Sequence, residues 1–350
     1  MSIKLDPNKL QKFMQNILVK VGMKNHDANI VSDSLVFANL RGIDSHGVIR
    51  FPFYLKRLID GGTNIQPKIK IIYESAASIL LDGDNGMGQV VGVYAVNLAI
   101  RKSKENGFCF IGVKGSSHFG AAQYYTNQIA KENLIGFSIT STGGVMVPWG
   151  GSKRMIGNNP FSIAVPYLKN KTLVLDISMS KVAGGKVRLA AKDNIKIPLG
   201  WIVNKNGEMT ENPNDLGSTG ALLPLGEYKG YGMAFMIEIL CSALTGAAML
   251  GSKPSWIKDT KTPLNMGHCF AAMNIEMFMD ISSFRDKVKW MIHKIKSTPL
   301  AKNFSEILVP GEKEWRIEED RKKHGIPISE EIWLDLVNLA NKYKEILVHE

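Results

Sequence analysis

SILLDGDNGMGQVVGVYAVNLAIRKSKENGFCFIGVKGSSHFG, residues 78–120, carries the decision about the fold. SILLDG (78–83) and CFIGV (109–113) are short apolar, β-branched runs bounded by glycine or polar residues, the texture of strands. Gly88–Asn106, between them, reads as a helix. Strand, helix and strand in succession indicate an α/β class. Gly86 and Gly88 resemble the opening of a G-x-G-x-x-G loop, in which backbone N–H groups meet a pyrophosphate, but the third position is Val91. The pair Gly230 and Gly232 would need glycine at 235 and has Phe235. The Rossmann fingerprint is absent. The P-loop, the G-x-S-x-G elbow and H-E-x-x-H are missing too, which argues against P-loop NTPases, α/β-hydrolases and zincins.

Outward from that stretch, IKIIY, GFSIT, FSIAVP and TLVLDIS add further strands, and 120–133 and 230–246 add helices. The N-terminal part is helical. Asp6-Pro7 is a cap followed by proline in the first turn, and Leu10, Phe13, Met14, Ile17, Leu18 and Val21 form one apolar stripe. A second helix is expected over 27–40, a third from about 45 to Gly61-Gly62, and two more over 283–295 and 329–346. Two units are expected. Residues 1–119 with 286–350 are expected to form a mostly helical unit, and 120–285 an α/β unit.

The chain has 350 residues, 45% of them apolar and 21% charged, which suits a folded chain with an ample core. Three scattered cysteines, Cys109, Cys241 and Cys269, with no Cys-x-x-Cys pair, exclude a disulfide framework and a zinc knuckle, so no metal is expected. No signal-peptide run opens the sequence, and the apolar stretch 232–251 carries Glu238 at its middle, which is costly in lipid. A cytoplasmic location without membrane or nucleic-acid partners is expected. The net charge of +11 is the one feature that a nucleic-acid-binding protein would share, but few basic segments interleave with aromatics.

Several short segments carry the chemistry. In Arg41-Gly-Ile-Asp-Ser45-His46-Gly47-Val-Ile-Arg50, a helix over 45–58 would put His46 and Arg50 on one face. An imidazole moves protons near neutral pH, and a guanidinium clamps a carboxylate with two hydrogen bonds. Gly115-Ser-Ser-His118-Phe119-Gly120 lies between a strand and a helix start, a common place for anions and cofactors. Asn158 in Gly157-Asn-Asn-Pro160 precedes a strand. Asp176, Ile177, Ser178, Met179 and Ser180 end one. Tyr228 and Lys229 open a helix between glycines, and Pro310, Gly311 and Glu312 form a turn. Each segment alone also fits a plain cap or turn.

In this order, RGIDSHGVIRFPFY (41–54), SSHFGAAQYY (116–125), GNNPFSIAVP (157–166), LDISMSKVAGGKV (175–187), IPLGWIVNKNGEMTENP (197–213), LLPLGEYKGYGMA (222–234) and ILVPGEKEWRIEEDRKKHGIP (307–327) resemble the malate/L-lactate dehydrogenase family of the second type. The resemblance implies a non-Rossmann NAD(P)-binding fold, a homodimer, and hydride transfer between NAD or NADP, NAD preferred, and a small 2-oxo or 2-hydroxy acid. It implies His46 as acid/base with Ser45 as its relay neighbour, His118 as the other candidate for that role, and Arg50 as the carboxylate ligand. Asn158 and Lys186 would lie near the substrate, with the 120–285 unit binding the dinucleotide and the unit of both termini serving substrate and dimerisation. Cofactor contacts would come from His118, Phe119, Gly120, the run 176–180, Tyr228, Lys229, Pro310, Gly311 and Glu312. Lys186 stands where the cyclic imino acid reductases of the family carry an aspartate, which weighs against that alternative substrate class. DISMSK is nearer to the 2,3-diketogulonate reductase pattern. Glu227 replaces a usual glycine, and Leu199 a usual glutamate.

Overall fold

A computed structural model describes residues 3–168, 171–217, 219–255 and 257–347. In chain order the elements are β1 (Ile3–Leu5), α1 (Pro7–Lys20), α2 (Asn25–Leu40), α3 (Phe51–Asp60), β2 (Lys70–Glu74), β3 (Ser78–Gly86), α4 (Gly88–Asn106), β4 (Phe108–Ser116), α5 (Gln123–Lys131) and β5 (Leu134–Thr140). Then come β6 (Phe161–Leu168), β7 (Lys171–Ile177), α6 (Gly184–Lys192), β8 (Ile202–Val203), β9 (Met209–Thr210), β10 (Ala221–Leu222), α7 (Tyr228–Glu238), β11 (Met266–Asn274), α8 (Ile281–Lys296), α9 (Glu312–His324), β12 (Ile326–Ile328) and α10 (Glu330–Tyr343).

The mixed α/β class expected from the sequence is present. One seven-stranded sheet has the order β2-β3-β4-β11-β5-β6-β7. Only β3 and β4 run parallel, as α4 carries the chain between them; every other neighbouring pair is antiparallel. The sheet runs through the boundary expected at 119/120. β2–β4 pair in the same sheet as β5–β7, because β11 lies between β4 and β5 and bonds to both. Val91, Ala95 and Ala99 of α4 pack on Ile111 and Val113 of β4 and Phe270 of β11, and small residues let the helix lie close to the sheet.

The two ends of the chain share one core. β1 pairs with β12, and Leu10, Phe13, Met14 and Ile17 of α1 are buried with Val31, Leu35, Leu336 and Ala340. Asp6 accepts the Lys9 backbone N–H at 2.8 Å and Pro7 fills the first turn of α1, as the sequence suggests.

The third helix departs from expectation. Residues 44–46 and 48–50 form two single 3₁₀ turns, and the α-helix begins only at Phe51. Buried Asn39 is the cause. Its Oδ1 accepts the Val48 N–H at 2.8 Å and its Nδ2 donates to Asp44 at 2.6 Å, which diverts these groups from a helical ladder. Gly47 sits on that amide so closely that a Cβ there would meet Asn39 Oδ1 at 2.2 Å.

Candidate active site

One edge of the sheet collects the functional segments. β4 ends at Ser116, β5 at Thr140 and β7 at Ile177, while β11 begins at Met266 and β6 at Phe161. The pairs Met266↔Ser116, His268↔Thr140, Ile139↔Phe161 and Phe161↔Ile177 align all five ends. The loops after Ser116, Thr140 and Ile177 therefore leave side by side. β3 ends there too, and Gly88 at the start of α4 lies against the Ser117 and His118 carbonyls, where a Cβ would approach to 2.4 and 2.6 Å.

The two 3₁₀ turns aim Ser45, His46 and Arg50 at this edge. The His46 and His118 rings stack with centroids 5.6 Å apart and 14° between planes. Ser45 Oγ is 3.0 Å from His46 Nδ1, and Arg50 Nε donates to the Ser45 carbonyl at 2.6 Å. Tyr54, one helical turn beyond Arg50, places its hydroxyl 2.6 Å from His118 Nδ1. The Gly120 backbone N–H reaches the same nitrogen at 3.4 Å. A backbone N–H only donates, so Nδ1 carries the lone pair, Tyr54 donates to it, and the ring proton sits on Nε2.

Burial lowers the pKa of His46 to about 4, and the Arg50 charge adds to the effect. Burial, then His46, Arg50 and His268, push His118 well below the ordinary imidazole value. Burial pushes the Tyr54 phenol up, against the pull of Arg50. Both imidazoles are thus neutral at pH 7, and a guanidinium stands beside them. His46 and His118 keep partly accessible surfaces in spite of their crowding.

Arg50 feels the positive charge of Arg188 on exposed α6. Lys186, expected near the substrate, is exposed on the first turn of α6.

A second wall forms beyond β5. Thr142 Oγ1 donates to Asn158 Oδ1 at 2.9 Å, and the Thr142 N–H donates to Asn159 Oδ1 at 2.8 Å. Asn159, fully buried, donates to Glu238 at 3.0 Å and to the Ala234 carbonyl at 2.9 Å. Met179 binds this wall to the next loop: its N–H donates to the Asn158 carbonyl at 2.8 Å, and its own carbonyl accepts the Leu225 N–H at 2.8 Å. Ser178 and Ser180 hydroxyls lie 3.1 Å apart beside it, and Ile177 is half-buried. Tyr228 and Lys229 are exposed three and four residues after Leu225.

The third group surrounds a cavity of about 340 Å³ lined by Gln123, Val174, Asp176, Val309, Pro310 and Gly311, among others. Asp176 accepts the Gln123 N–H at 3.0 Å, and Gln123 accepts from Arg41 Nε at 2.5 Å. Burial raises Asp176 to about 6, and the Gln123 bond moderates the rise. Arg41 Nη1 pairs with Glu318 at 2.9 Å, while its buried Nη2 has no hydrogen-bond partner among the described residues. Gly311 needs to be glycine. Its φ is +87°, and a Cβ would meet the Val174 nitrogen at 3.0 Å. A larger open depression of about 590 Å³ at 194–214 includes Lys196 and Glu211, which pair with each other, and none of the groups above.

Two residues expected to touch cofactor point elsewhere. The Glu312 carboxylate accepts from Lys296 at 2.6 Å, Arg316 at 2.7 Å and the Val309 N–H at 3.1 Å, and so braces the 309–312 turn from below. Phe119 is buried in an aromatic cluster with Tyr125, His268 and Phe270. Gly120 follows it at φ +80°. Sequence reading missed Tyr54, Thr142, His268, Gln123 and Arg188. Of these only Tyr54 carried a usable signal, its place four residues after Arg50. Among the described residues no cluster of three His, Cys, Asp or Glu could hold a metal, and no helix is long and apolar enough to cross a membrane.

The family model of malate/L-lactate dehydrogenases matches residues 5–337. The chain belongs to the malate/L-lactate dehydrogenase family. It is an enzyme, a dehydrogenase of 2-hydroxy acids. Malate dehydrogenase of Pyrococcus horikoshii is 37% identical over 348 residues, covering 97% of this chain and 95% of that one. L-sulfolactate dehydrogenase of Methanocaldococcus jannaschii is 38% identical over 338 residues, covering 97% and 96%. The crystal structure of malate dehydrogenase from Entamoeba histolytica superposes with a TM-score of 0.94 at 29% identity, covering 99% of both chains. The family fold explains how a dehydrogenase lacks the glycine fingerprint: its loops come from one edge of a largely antiparallel sheet.

Proposed function

We propose that this dehydrogenase interconverts a small 2-oxo acid and its 2-hydroxy acid with a nicotinamide dinucleotide, and that its substrate bears a second acidic group. The observation that carries the reading is the stacked, neutral His46–His118 pair with Arg50 beside it. Arg50 suits the carboxylate next to the reacting carbon, with a charge-assisted pair. Arg188, whose charge reaches Arg50, suits the second acid group. The names of the malate and sulfolactate dehydrogenase relatives agree with such a substrate.

The groups around the 340 Å³ cavity fit part of a dinucleotide. Asp176 can accept from ribose hydroxyls, the glycine at 311 leaves room for close approach, and exposed Lys229 suits the diphosphate. The carboxylate at Asp176 opposes a 2′-phosphate, which favours NAD over NADP. The cofactor, when bound, supplies or takes the hydride. In the oxidative direction a neutral imidazole takes the hydroxyl proton; His46 is assigned that step, with Ser45 on its far nitrogen. His118, locked by Tyr54, orients the oxygen. In the reductive direction the same proton returns to the carbonyl oxygen, and a bound carboxylate offsets the Arg50 charge that disfavours protonated His46.

A homodimer is part of the reading. Met233, Phe235, Met236 and Ile239 leave an apolar face of α7 and the turn after it exposed. The three buried free cysteines suit a reducing, cytoplasmic setting.

The test is NADH oxidation with oxaloacetate, sulfopyruvate, pyruvate, glyoxylate and 2,3-diketogulonate, by wild type and His46→Ala. Turnover of the diacids is expected, with kcat lower by ~10²–10⁴-fold in the variant and NADH affinity kept. Unchanged turnover in the variant moves the acid/base role to His118.

A further inference from the structure

We propose that His268 is a positioning residue for this reaction, a buried imidazole that sets the His118 loop against the Thr140–Thr142 wall. The inference rests on the reading above, in which His118 faces the substrate. His268 lies on β11, the strand between β4 and β5, and is fully buried. Its Nε2 is 2.9 Å from Ser116 Oγ and 3.1 Å from the Ser117 carbonyl. Its Nδ1 is 2.7 Å from Thr140 Oγ1.

A carbonyl only accepts, so Nε2 carries the proton, and Nδ1 accepts from the Thr140 hydroxyl. Burial lowers the pKa of the ring to about 3, and the ring stays neutral in this one tautomer. Its face also stacks on Phe119, centroids 4.6 Å apart and 10° between planes. Residues 116, 117 and 119 are all held by one side chain. His118, the residue among them that it does not hold, turns to Tyr54 and His46. The opposite nitrogen holds Thr140, two residues before the Thr142 that fixes Asn158 and Asn159. One imidazole thus sets the spacing between the proton-handling loop and the asparagine wall.

The amide nitrogen of glutamine reaches about as far as Nε2, whereas an asparagine amide reaches only to the place of Nδ1. His268→Gln therefore keeps a donor for the Ser117 carbonyl and loses the Thr140 arm, whereas His268→Asn keeps the Thr140 arm and loses that donor. Both lose the same ring stacking. The full-length variants are assayed for kcat, for KM of NADH and of the acid, and by NMR of ¹³C-histidine-labelled protein, with the His118 signal assigned through His118→Gln. Misplacement by about 1 Å can cost ~10²-fold in rate, so kcat is expected to fall ~10–100-fold in His268→Asn, which frees the loop beside His118, and by less in His268→Gln, which frees only Thr140, with KM for NADH unchanged. The His118 signal is expected to move in His268→Asn alone. A kcat kept within ~3-fold in both variants, or a His118 signal that stays in place in His268→Asn, overturns the proposal. If neither folds, Thr140→Val removes the Nδ1 arm and Ser116→Ala the Ser116 contact of Nε2, with the ring in place, and unchanged kcat in both overturns it. A wild type inactive on every acid refutes the functional reading instead, while the His118 signal still decides the role of His268.

Discussion

Glu238 and Lys253 form the most consequential ion pair in the core. Their contact is 2.6 Å, and their side chains are 5% and 1% exposed. The partners are unequal. The carboxylate accepts from Lys253, from the Leu250 N–H at 2.7 Å, from Ser242 at 3.2 Å and from Asn159 at 3.0 Å. Beyond Glu238, the ammonium has Ser242 Oγ at 3.3 Å. Breaking a buried pair from one side costs about 3–5 kcal/mol, because a lone charge stays in the core. Lys253→Met leaves a carboxylate with three donors and should fall near 3 kcal/mol. Glu238→Met leaves an ammonium almost bare, with the Leu250 N–H orphaned as well, and should reach 5 kcal/mol or more, a large part of the ~5–15 kcal/mol that holds a domain together. The double variant leaves no buried charge. It should be more stable than Glu238→Met, although it lacks one more polar group. Urea unfolding followed by tryptophan fluorescence at pH 7.5 orders the four proteins. A double variant less stable than Glu238→Met would refute the lone-charge reasoning and leave the pair as ordinary packing.

Arg50→Ala should raise KM for the acid ~10–100-fold, the loss of a charge-assisted hydrogen bond of about 1.5–3 kcal/mol, with KM for NADH unchanged in steady-state assays. His268, held neutral to about pH 3, binds no proton in the fold while the unfolded imidazole titrates near 6.5. The unfolded chain binds more protons below 6.5, so this group removes about 2 kcal/mol of stability by pH 5. Asp176, raised to about 6, acts in the opposite sense over the same window. The comparison that isolates His268 is therefore the change from pH 7.5 to pH 5 in wild type against His268→Gln, which should be smaller in the variant by that amount. Glu227 stands at φ +60° at the start of α7 with no side-chain cap bond, so Glu227→Gly should stabilise the chain by about 1 kcal/mol in urea titration.

What the sequence made legible follows the physical strength of each signal. α4 was read with its observed limits, because Gly88 and Gly107 bracket it and its apolar residues repeat at helical spacing. β11 was overlooked, although it lies at the middle of the sheet. MGHCFAAMN holds one aromatic and no β-branched residue, since helices crowd a central strand and favour small side chains. α9 escapes the sequence reading because EKEWRIEEDRKKH shows no apolar stripe; i,i+4 ion pairs support it instead. In the site, His46 and Arg50 stand out because a proton-moving imidazole and a carboxylate-clamping guanidinium lie four residues apart. Tyr54 does not, since FPFYLKRL reads as the buried stripe of a helix, and Tyr54 is indeed buried. No motif in the sequence singles out His268. Only its partners, on two other strands, give it a role.

The antiparallel layout explains why the dinucleotide loop is absent and the site is still dense. A Rossmann sheet runs parallel, so its helix N-termini line one crevice and a glycine loop meets the pyrophosphate there. Here β11 runs against both β4 and β5, and the edge where those two strands end is the edge where β11 begins. A residue near the start of β11 can therefore bond both outgoing loops at once, which His268 does. Close approach by glycine moves to other places, such as Gly311 against Val174 and Gly88 against Ser117. The His46–Arg50 unit then needs no strand of its own. It comes from two 3₁₀ turns that Asn39 holds open, so Asn39→Leu should disturb the alignment of His46 and Arg50 more than it disturbs the sheet, and circular dichroism with kcat measured side by side would separate the two effects.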